Sequence, residues 1–495
     1  MNRSEMLARA AERRTWDVVV VGGGATGAGV ALDAAARGYA VLLIERGDFG
    51  VGTSSRSTKL VHGGVRYLRQ GRIKLVLEAL RERGRLLRNA PHIVHDRAFV
   101  LPAYRRFDVA MYGVGLKAYD LLAAWGGFPL SRIVSAREVR RHLPTVQPNG
   151  LKGGVIYHDG QFDDARLLIH ILMTAADRGA TLLNYAPVIG LTRDVGGVID
   201  GVVIRDAETG DEFTAKARVV VNAAGPFCDE LRHLADPAAP ALVAASQGSH
   251  VVLDASFLPG GDALLIPETP DGRVLFCIPW HGHVVVGTTD VAVPSAPVEP
   301  RATEDEIAFI LETAGRYLVK KPRREDVLST FAGIRPLVQA GGGSTSQLGR
   351  DHTIKLDQPG MVTITGGKWT TYRSMAEACV DVAAERGGLP RRKCVTQNLK
   401  LHGHAAPSAD PLSIYGTDAA RIRAITAEDA TLAEVLHPSL PYTAAEVVWA
   451  VRHEMARTAK DVLARRLRAR FLNERAADAI APRVAELVAK QLAPG

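Results

Sequence analysis

WDVVVVGGGATGAGVALDAAARGYAVLLIERGD, from Trp16 to Asp48, is the stretch of sequence that decides the fold of this chain. Four consecutive valines, Val18 to Val21, are typical of a strand that is buried on both faces of a parallel sheet. A helical pattern of apolar residues follows and stops at Gly38, and a second apolar strand runs from Val41 to Ile44. The order strand, helix, strand predicts a βαβ unit.

Three glycines stand at the turn between the first strand and the helix. Gly22, Gly24 and Gly27 form the motif G-x-G-x-x-G, which allows a tight turn, close approach of a pyrophosphate and close packing of helix on strand. The phosphates would meet free N–H groups at the positive end of the helix. Glu45 follows the second strand, where its carboxylate can accept hydrogen bonds from the adenosine ribose hydroxyls. A lone motif also fits an ordinary tight turn, but this context predicts a dinucleotide-binding domain.

Length and composition set the class of protein. With 495 residues the chain exceeds the size of one hydrophobic core, so we expect two or three domains. No apolar run reaches the roughly 18 residues that span a bilayer, and the N-terminus lacks the features of a signal peptide. We therefore expect a soluble cytoplasmic protein. The four cysteines and the histidines show no metal-ligand spacing, so we expect no metal site.

Basic residues are concentrated in two segments. Residues 66–106 contain 11 Lys or Arg against 3 Asp or Glu, and residues 452–475 contain 8 against 3. The second segment carries an apolar helical stripe that either packs on its own domain or rests on anionic lipid, and the first segment competes for that role. The stripe comprises Met455, Ala459, Val462, Leu463, Leu467 and Phe471. Both segments lack interleaved aromatic residues, so we do not expect nucleic-acid binding.

Two later segments repeat the strand, turn, helix order. VVNAAGPF places Ala224 and Gly225 at a small-residue turn, and TITGGKWTT places Gly366 and Gly367 at another. Small residues there fit either a further crossover of the sheet or a cofactor that lies against the turn. Four short β segments within residues 247–289 indicate an antiparallel second domain that would cover a substrate.

The number of glycine motifs favours FAD over NAD. The chain has one G-x-G-x-x-G and no second copy for a separate nicotinamide cofactor, while three later glycine-rich turns could surround a larger cofactor. We expect FAD to be reduced by a bound substrate and reoxidised by something other than NAD(P). The predicted cofactor contacts are Gly22, Gly24, Ala25, Thr26, Gly27, Glu45, Thr53, Ser54, Ser55, Lys59, His62, Gly63, Gly64, Ala224, Gly225, Gly366, Gly367, Lys368 and Thr370.

Together these motifs resemble the FAD-dependent glycerol-3-phosphate dehydrogenases, a family of the glutathione-reductase-like flavoproteins. The resemblance rests on the N-terminal stretch through HGGVRYL and on VVNAAGPF, QGSH, GTTD, AGIRPL and TGGKWTTYR. It implies an α/β fold: a Rossmann-like FAD-binding domain of glutathione-reductase type, an antiparallel β substrate domain and an all-α C-terminal domain. It also implies oxidation of sn-glycerol 3-phosphate to dihydroxyacetone phosphate by hydride transfer to FAD, with electrons passed to membrane quinone.

Domain boundaries and location follow from the same resemblance. We expect residues 15–105, 151–228 and 345–395 to form the FAD-binding domain, 106–150 and 229–344 the substrate-binding cap, and 400–495 the helical C-terminal domain. The enzyme would attach peripherally to the inner, anionic face of the cell membrane, and a homodimer is left open as its assembly.

The predicted substrate site is cationic because a phosphate monoester is a dianion. Arg335 and Arg350 can bind phosphate oxygens in bidentate fashion, and both match phosphate-binding arginines of the family. Lys368 follows two glycines at a helix start, and Arg66 and Tyr67 in HGGVRYL match substrate-pocket positions. Surface ion pairing is the alternative for a lone arginine.

The predicted catalytic groups are His250, Arg335 and Lys368. Oxidation of an alcohol needs a base for the hydroxyl proton, and His250 in QGSH is our candidate, with His62 as a rival and a core histidine as the alternative. Arg335 could instead stabilise the developing alkoxide. A glycerol-3-phosphate oxidase that uses oxygen, or an FAD-dependent amine or amino-acid oxidase, remains the alternative function.

Overall fold

A sheet built around the four valines forms the centre of the computed structural model, which describes residues 1–12, 15–64, 72–123, 127–339 and 352–493. The helices are α1 Arg3–Ala11, α2 Ala25–Ala36, α3 Ile73–Asn89, α4 Arg106–Ala123, α5 Ala136–His142, α6 Asp164–Asp177, α7 Cys228–Ala235, α8 Glu304–Gly315, α9 Tyr372–Arg386, α10 Ala419–Glu428, α11 Ala444–Glu454, α12 Ala459–Asp461, α13 Ala469–Leu472 and α14 Glu474–Leu492. The strands are β1 Thr15–Val21, β2 Val41–Ile44, β3 Leu60–Val61, β4 Val94–Ala103, β5 Arg132–Ser135, β6 Gly153–Phe162, β7 Thr181–Leu183, β8 Val188–Arg193, β9 Ile199–Arg205, β10 Glu212–Asn222, β11 Val243–Asp254, β12 Ala263–Ile266, β13 Leu275–Trp280, β14 His283–Gly287, β15 Val291–Ala292, β16 Val327–Val338, β17 His352–Gln358, β18 Met361–Gly366, β19 Val435–His437 and β20 Leu440–Thr443.

The first sheet contains the predicted βαβ unit. Its order is β17, β18, β10, β1, β2, β7, and β18, β10, β1, β2 and β7 run parallel. Val18 pairs with Val41 and with Val219, and the side chain of Val18 is fully buried, as a central parallel strand requires. Helices α2, α6 and α9 pack together beside this sheet. The structure confirms the Rossmann-like part of the predicted fold.

The second sheet is largely antiparallel. Its main path is β15, β11, β14, β13, β12, β4, β6, β3, with β16 paired to β11 and β5 paired to β6, and only the β12–β4 pairing on it is parallel. Strands β4 and β6 lie here, although the sequence analysis assigned their residues to segments of the FAD-binding domain. The boundaries between domains therefore stay a proposal.

The C-terminal region is helical apart from the short β19–β20 hairpin. The predicted continuous stripe is broken here, because Met455 and Arg468 have φ of 57° and 66° and a π-helical turn spans Val462–Arg466. The apolar members of the stripe pack in the main core. Arg465 and Arg466 are buried in ion pairs with Asp48. Of the two interpretations of the stripe, packing within the protein is therefore correct, and the stripe itself offers no surface to lipid.

Helix length and hydropathy within the described ranges give one further result. Among those residues, no helix is both long enough and apolar enough to cross a membrane.

Candidate active site

A cavity of about 1280 Å³ lies between the two sheets. Its walls include residues at the carboxyl ends of β1, β2, β10 and β18 and residues of β11 and β16. Ligands of open α/β sheets bind outside the carboxyl ends of parallel strands. The volume exceeds the roughly 1,000 Å³ of ordinary small-molecule pockets, so a dinucleotide and a second ligand can both fit.

The glycine motif forms one end of the cavity. Gly22 has φ of 115°, and a Cβ there would lie 2.6 Å from the carbonyl oxygen of Ala223. A Cβ at Gly27 would lie 1.9 Å from the carbonyl oxygen of Gly22, so Gly27 packs α2 onto the end of β1. Residues 24–26, at the start of α2, line the cavity. The positive end of this helix is therefore placed to receive phosphate.

Glu45 lines the same end and is held by the backbone. Its carboxylate accepts hydrogen bonds from the N–H groups of Gly23, at 2.7 Å, and Gly47, at 3.0 Å. Burial raises the pKa of Glu45, and these two hydrogen bonds oppose that shift. The contacts orient the carboxylate in the cavity wall, at the position where ribose hydroxyls were predicted.

The loop after β2 supports the start of α2. Thr53 and Ser54 both line the cavity. The hydroxyl of Ser54 accepts a hydrogen bond from the N–H of Ala25 at 2.9 Å, and the carbonyl oxygen of Ser54 accepts one from Trp369 Nε1 at 2.9 Å. Ser54 therefore acts as a helix cap and occupies one of the N–H groups that sequence analysis assigned to the cofactor.

Three further glycines bend the chain where it meets the cavity. Gly225, Gly366 and Gly367 have φ of 57°, 79° and 74°, and all three line the wall. A Cβ at Gly367 would lie 2.4 Å from the sulfur of Met375, so a side chain is excluded there. Ala224 lines the wall beside Gly225.

The remaining predicted cofactor residues of the wall are His62, Gly64, Lys368 and Thr370. The backbone N–H of His62 donates to Thr370 Oγ1 at 3.1 Å, which ties the loop after β3 to the turn before α9. The two loops therefore form one continuous surface along the cavity.

His250 lines the cavity from β11 and is almost fully buried. Its Nε2 lies 3.0 Å from Thr58 Oγ1, and its ring stacks on Phe331 with centroids 4.6 Å apart. Its Nδ1 has no hydrogen-bond partner among the described residues. Burial, followed by the charges of Lys59 and Arg335, holds the pKa of His250 well below its usual range. The imidazole is therefore neutral near pH 7.

Arg335 lies next to His250 and is fixed by a ring of acceptors. Nη1 donates to Asp290 Oδ1 at 3.2 Å and to the carbonyl oxygen of Gln247 at 3.3 Å. Nη2 donates to Thr288 Oγ1 at 3.1 Å and to the carbonyl oxygen of Thr289 at 3.0 Å. The guanidinium lies over Gly248, where a Cβ would be 2.2 Å from Nη2. The side chain is three-quarters buried and held in one orientation.

The structure corrects the predicted role of Lys59. Its ammonium is fully buried behind the cavity wall, where it donates to Asp164 Oδ2 at 2.7 Å and to the carbonyl oxygen of Ser55 at 3.0 Å. Ser55 is buried as well, and Gly63 packs against Leu80 and Tyr119. Lys59 turns away from the cavity because a buried lysine needs a carboxylate partner, here Asp164. Lys59, Ser55 and Gly63 therefore support the wall from behind and do not line the cavity. Arg66, Tyr67 and Arg350 lie outside the described residues.

Arg56, Thr58, Thr288 and Asp290 are among the side chains of the wall that sequence reasoning missed. Burial, together with the charge of Arg465, lowers the pKa of Arg56 to about 10, so its guanidinium stays charged at neutral pH. These four side chains lie in two short motifs, TSSRSTK at residues 53–59 and GTTD at residues 287–290. Thr58 contacts His250, and Thr288 and Asp290 contact Arg335. Neither motif predicts these pairings, because the partners are far apart in sequence.

One wall of the cavity is apolar. It is formed by α4 on one side and by side chains of the second sheet on the other: Met111, Val114, Leu116, Ala118, Phe99, Leu101, Tyr157, Leu265 and Phe276. Phe107, Met111, Val114 and Leu121 of α4 are exposed and recur at helical spacing, with Phe107, Val114 and Leu121 between 74 and 78% exposed. An apolar outer stripe thus borders an apolar part of the cavity.

Comparison with known proteins identifies the family. The family model for FAD-dependent oxidoreductases matches residues 17–381, and the model for the C-terminal domain of alpha-glycerophosphate oxidase matches residues 362–493. The mitochondrial glycerol-3-phosphate dehydrogenase SDP6 of Arabidopsis thaliana is 44% identical over 96% of this chain and 82% of its own length. This chain belongs to the FAD-dependent glycerol-3-phosphate dehydrogenase family. The human mitochondrial enzyme is 38% identical over 96% of this chain and 70% of its own length.

Solved structures agree with this family assignment. The glycerol-3-phosphate dehydrogenase of Bacillus halodurans, complexed with FAD, matches 98% of this chain and 93% of its own chain, with a TM-score of 0.79 and 30% identity. The FAD-bound L-alpha-glycerophosphate oxidase of Mycoplasma pneumoniae matches 78% of this chain and 98% of its own, with a TM-score of 0.60 and 19% identity. The second similarity shows the shared fold.

The residues of the glycerol-3-phosphate dehydrogenase cavity fit the FAD of the family. Gly22 and Gly27 allow the tight turn from β1 into α2, where a Cβ would clash with backbone oxygens, the start of α2 faces the cavity, and Glu45 presents an oriented carboxylate. At the other end, Gly366 and Gly367 open the wall beside His250 and Arg335. FAD is therefore the cofactor of this chain.

Proposed function

We propose that the chain oxidises sn-glycerol 3-phosphate to dihydroxyacetone phosphate and passes the electrons to a membrane quinone. The observation that carries the first part is the pairing of a neutral buried His250 with an oriented Arg335 in one wall of the FAD cavity, which Lys368 also lines. A base and two cations suit an alcohol that carries a phosphate dianion. The names of the relatives support the same substrate.

Each of these side chains has a distinct task. Arg335 and Lys368, with Arg66, Tyr67 and Arg350 as further proposed contacts, bind the phosphate and orient the C2 hydroxyl. The imidazole of His250, whose Nε2 contacts Thr58, is the proposed acceptor of the hydroxyl proton. FAD, held by the glycine turn before α2 and by Glu45, would supply the acceptor for the hydride that C2 loses. The cations hold the phosphate of the product ketone until the ketone is released.

Substrate selectivity tests this assignment. We expect dihydroxyacetone phosphate to form from glycerol 3-phosphate with a dye as acceptor, and no reaction with glycerol or an amino acid. Arg335→Gln should raise KM for glycerol 3-phosphate by at least about tenfold, because it removes a charged contact. Equal turnover of an amino acid would instead identify an amino-acid oxidase.

The apolar wall of the cavity supports quinone as the proposed electron acceptor. A quinone ring is apolar and planar, and the part of the cavity between α4 and the second sheet is lined by aromatic and aliphatic side chains. Its border with the exposed stripe of α4 would let a quinone enter from a bilayer. Reoxidation of the reduced enzyme by quinone without hydrogen peroxide supports this proposal. A full yield of peroxide in the presence of quinone would identify an oxidase.

The exposed stripe of α4 is the proposed membrane contact, at the inner face of the cell membrane. Arg105 and Arg106 are exposed at the start of this helix and would meet anionic headgroups, while Phe107, Val114 and Leu121 would enter the interface.

Flotation with vesicles of phosphatidylethanolamine and phosphatidylglycerol tests the surface. We expect the holoenzyme to float at low salt and less at high salt, because exposed charges are screened. Phe107→Ser combined with Leu121→Ser should abolish flotation. Leu356→Ser combined with Val435→Ser, which changes two exposed apolar residues elsewhere, is the matched control. Wild-type protein that fails to float at any salt would refute the membrane proposal.

A further inference from the structure

Residues 53–59 form a segment that supports the site at two points. Near its start, Ser54 caps α2 and accepts a hydrogen bond from Trp369. Near its end, Thr58 Oγ1 lies 3.0 Å from Nε2 of His250. The position of this segment therefore sets the hydrogen-bonding partner of the imidazole.

Asp164, the first residue of α6, holds both sequence neighbours of Thr58. Its Oδ2 accepts hydrogen bonds from the N–H and the hydroxyl of Ser57, at 2.9 and 2.7 Å. The same oxygen accepts one from Lys59 Nζ at 2.7 Å. The carboxylate is fully buried, and a buried charge is tolerated only when its partners are in place. Asp164 is thus the centre from which the segment is held.

Arg468 reaches the same carboxylate from the C-terminal region. Its Nη2 donates to Asp164 Oδ1 at 3.0 Å and to the carbonyl oxygen of Ser55 at 2.7 Å. Its guanidinium lies 4.2 Å from the ring centroid of Phe471, and the residue is 1% exposed. Arg468 lies in the part of the chain that the C-terminal family model matches. Asp164 and residues 53–59 lie in the part that only the FAD-dependent oxidoreductase model matches. The contact therefore crosses between two regions.

The backbone at both basic residues has an unusual conformation. Lys59 has φ of 65° and Arg468 has φ of 66°, in the left-handed region that residues other than glycine seldom adopt. Such conformations persist where surrounding contacts determine them. The side chains of Lys59 and Arg468 both donate hydrogen bonds to Asp164, so this carboxylate is the contact that the two residues share.

We infer that the C-terminal domain positions the active-site segment. Arg468 is a positioning residue that, through Asp164, holds Thr58 against His250. The C-terminal domain thus helps to position the groups for proton transfer, in addition to packing against the rest of the protein. The kinetic test of this inference rests on the proposed function, and a second measurement needs no substrate.

The kinetic test is a double-mutant cycle on anaerobic reduction of bound FAD by glycerol 3-phosphate. Arg468→Gln and Thr58→Val should each slow the rate constant per bound flavin by about tenfold, with little change in substrate affinity. The double variant should also be slowed by about tenfold, because both changes act on one contact. Arg470→Gln, on the exposed side of α13, is the control and should match wild type. If Arg468→Gln does not fold, Arg468→Lys keeps the charge and loses the planar donor group that reaches Asp164 and Ser55 together, and the same slowing and faster exchange are expected.

The second test is amide hydrogen exchange of the holoenzyme. Exchange in residues 53–59 should be at least about tenfold faster in Arg468→Gln than in Arg470→Gln, because the segment loses one of its holding contacts. Unchanged exchange, or a double variant slowed by about 100-fold, would overturn the inference. If glycerol 3-phosphate fails to reduce the wild-type flavin, the proposed function fails, and hydrogen exchange still decides the inference.

Discussion

Gly248→Ala should lower the catalytic rate of this enzyme with little effect on its thermal stability. An added Cβ would lie 2.2 Å from Nη2, 2.6 Å from Cζ and 2.7 Å from Nη1 of Arg335. Ordinary contact between such atoms needs roughly 3.5 Å, so the guanidinium must move by more than about 1 Å. Gly248 lies within β11 at an ordinary φ, so the backbone itself accepts alanine. The clash is with the end of the Arg335 side chain and not with backbone, so the guanidinium must leave some of its four acceptors while the sheet stays folded.

The expected cost is therefore functional. A shift of about 1 Å in a positioning group can lower the rate about 100-fold, which corresponds to about 2.7 kcal/mol in kcat/KM. The melting temperature should change far less than the rate, because the lost contacts of Arg335 are partly exposed and the backbone of β11 is undisturbed. Stopped-flow reduction of the flavin, with FAD content and thermal melting on the same preparation, measures both quantities.

Gly315→Ala is the matched control for this prediction. Its Cβ would meet side-chain atoms of Lys321 at 3.6 Å, which is normal contact, at the end of α8. Gly315→Ala should therefore keep wild-type kinetics. A Gly248→Ala enzyme with unchanged KM and unchanged flavin reduction would refute the assignment of Arg335 to substrate binding.

Three further changes probe the base, the cofactor cradle and a charged contact of the C-terminal region. His250→Ala should slow flavin reduction by about 100-fold or more while FAD content stays normal; normal reduction would rule His250 out as the base. Gly27→Ala should yield protein with little bound FAD, because its Cβ would meet the backbone oxygen of Gly22 at 1.9 Å, and full occupancy would contradict this packing. Burial opposes the charge of His402, but hydrogen bonds to Asp177 and Asp418 raise its pKa to about 9. Its stabilising contribution is therefore complete below the unfolded pKa of about 6.5 and is lost as pH rises through about 9. Urea unfolding should show this loss of stability in wild type and a flatter profile in His402→Gln; equal slopes would contradict it.

The βαβ unit and the cofactor cradle could be predicted because their signals are local. Four valines, a glycine turn and a helix follow one another within residues 16–48, and the structure pairs Val18 with Val41 as such a unit requires. The GG turn at Gly366 was visible for the same reason, since its positive φ needs glycine.

The long-range contacts could not be predicted. Thr58 and His250 are 192 residues apart, and Lys59 is 105 residues from the carboxylate that takes its side chain out of the cavity. A serine-rich loop predicts donors but gives no sign of which side chain turns inward. Apolar periodicity in the C-terminal region predicted one continuous helix, which the structure does not show. Arg468 has a left-handed backbone conformation that interrupts the helix, and its side chain forms a buried ion pair with Asp164.

The visible spectrum of the purified enzyme under anaerobic conditions tests the central claim most directly. Glycerol 3-phosphate should bleach the flavin bands within the mixing time of a manual assay, and glycerol at the same concentration should leave them unchanged. A flavin spectrum that glycerol 3-phosphate does not bleach, or that glycerol bleaches equally, would contradict the proposed substrate and the phosphate-binding task of Arg335.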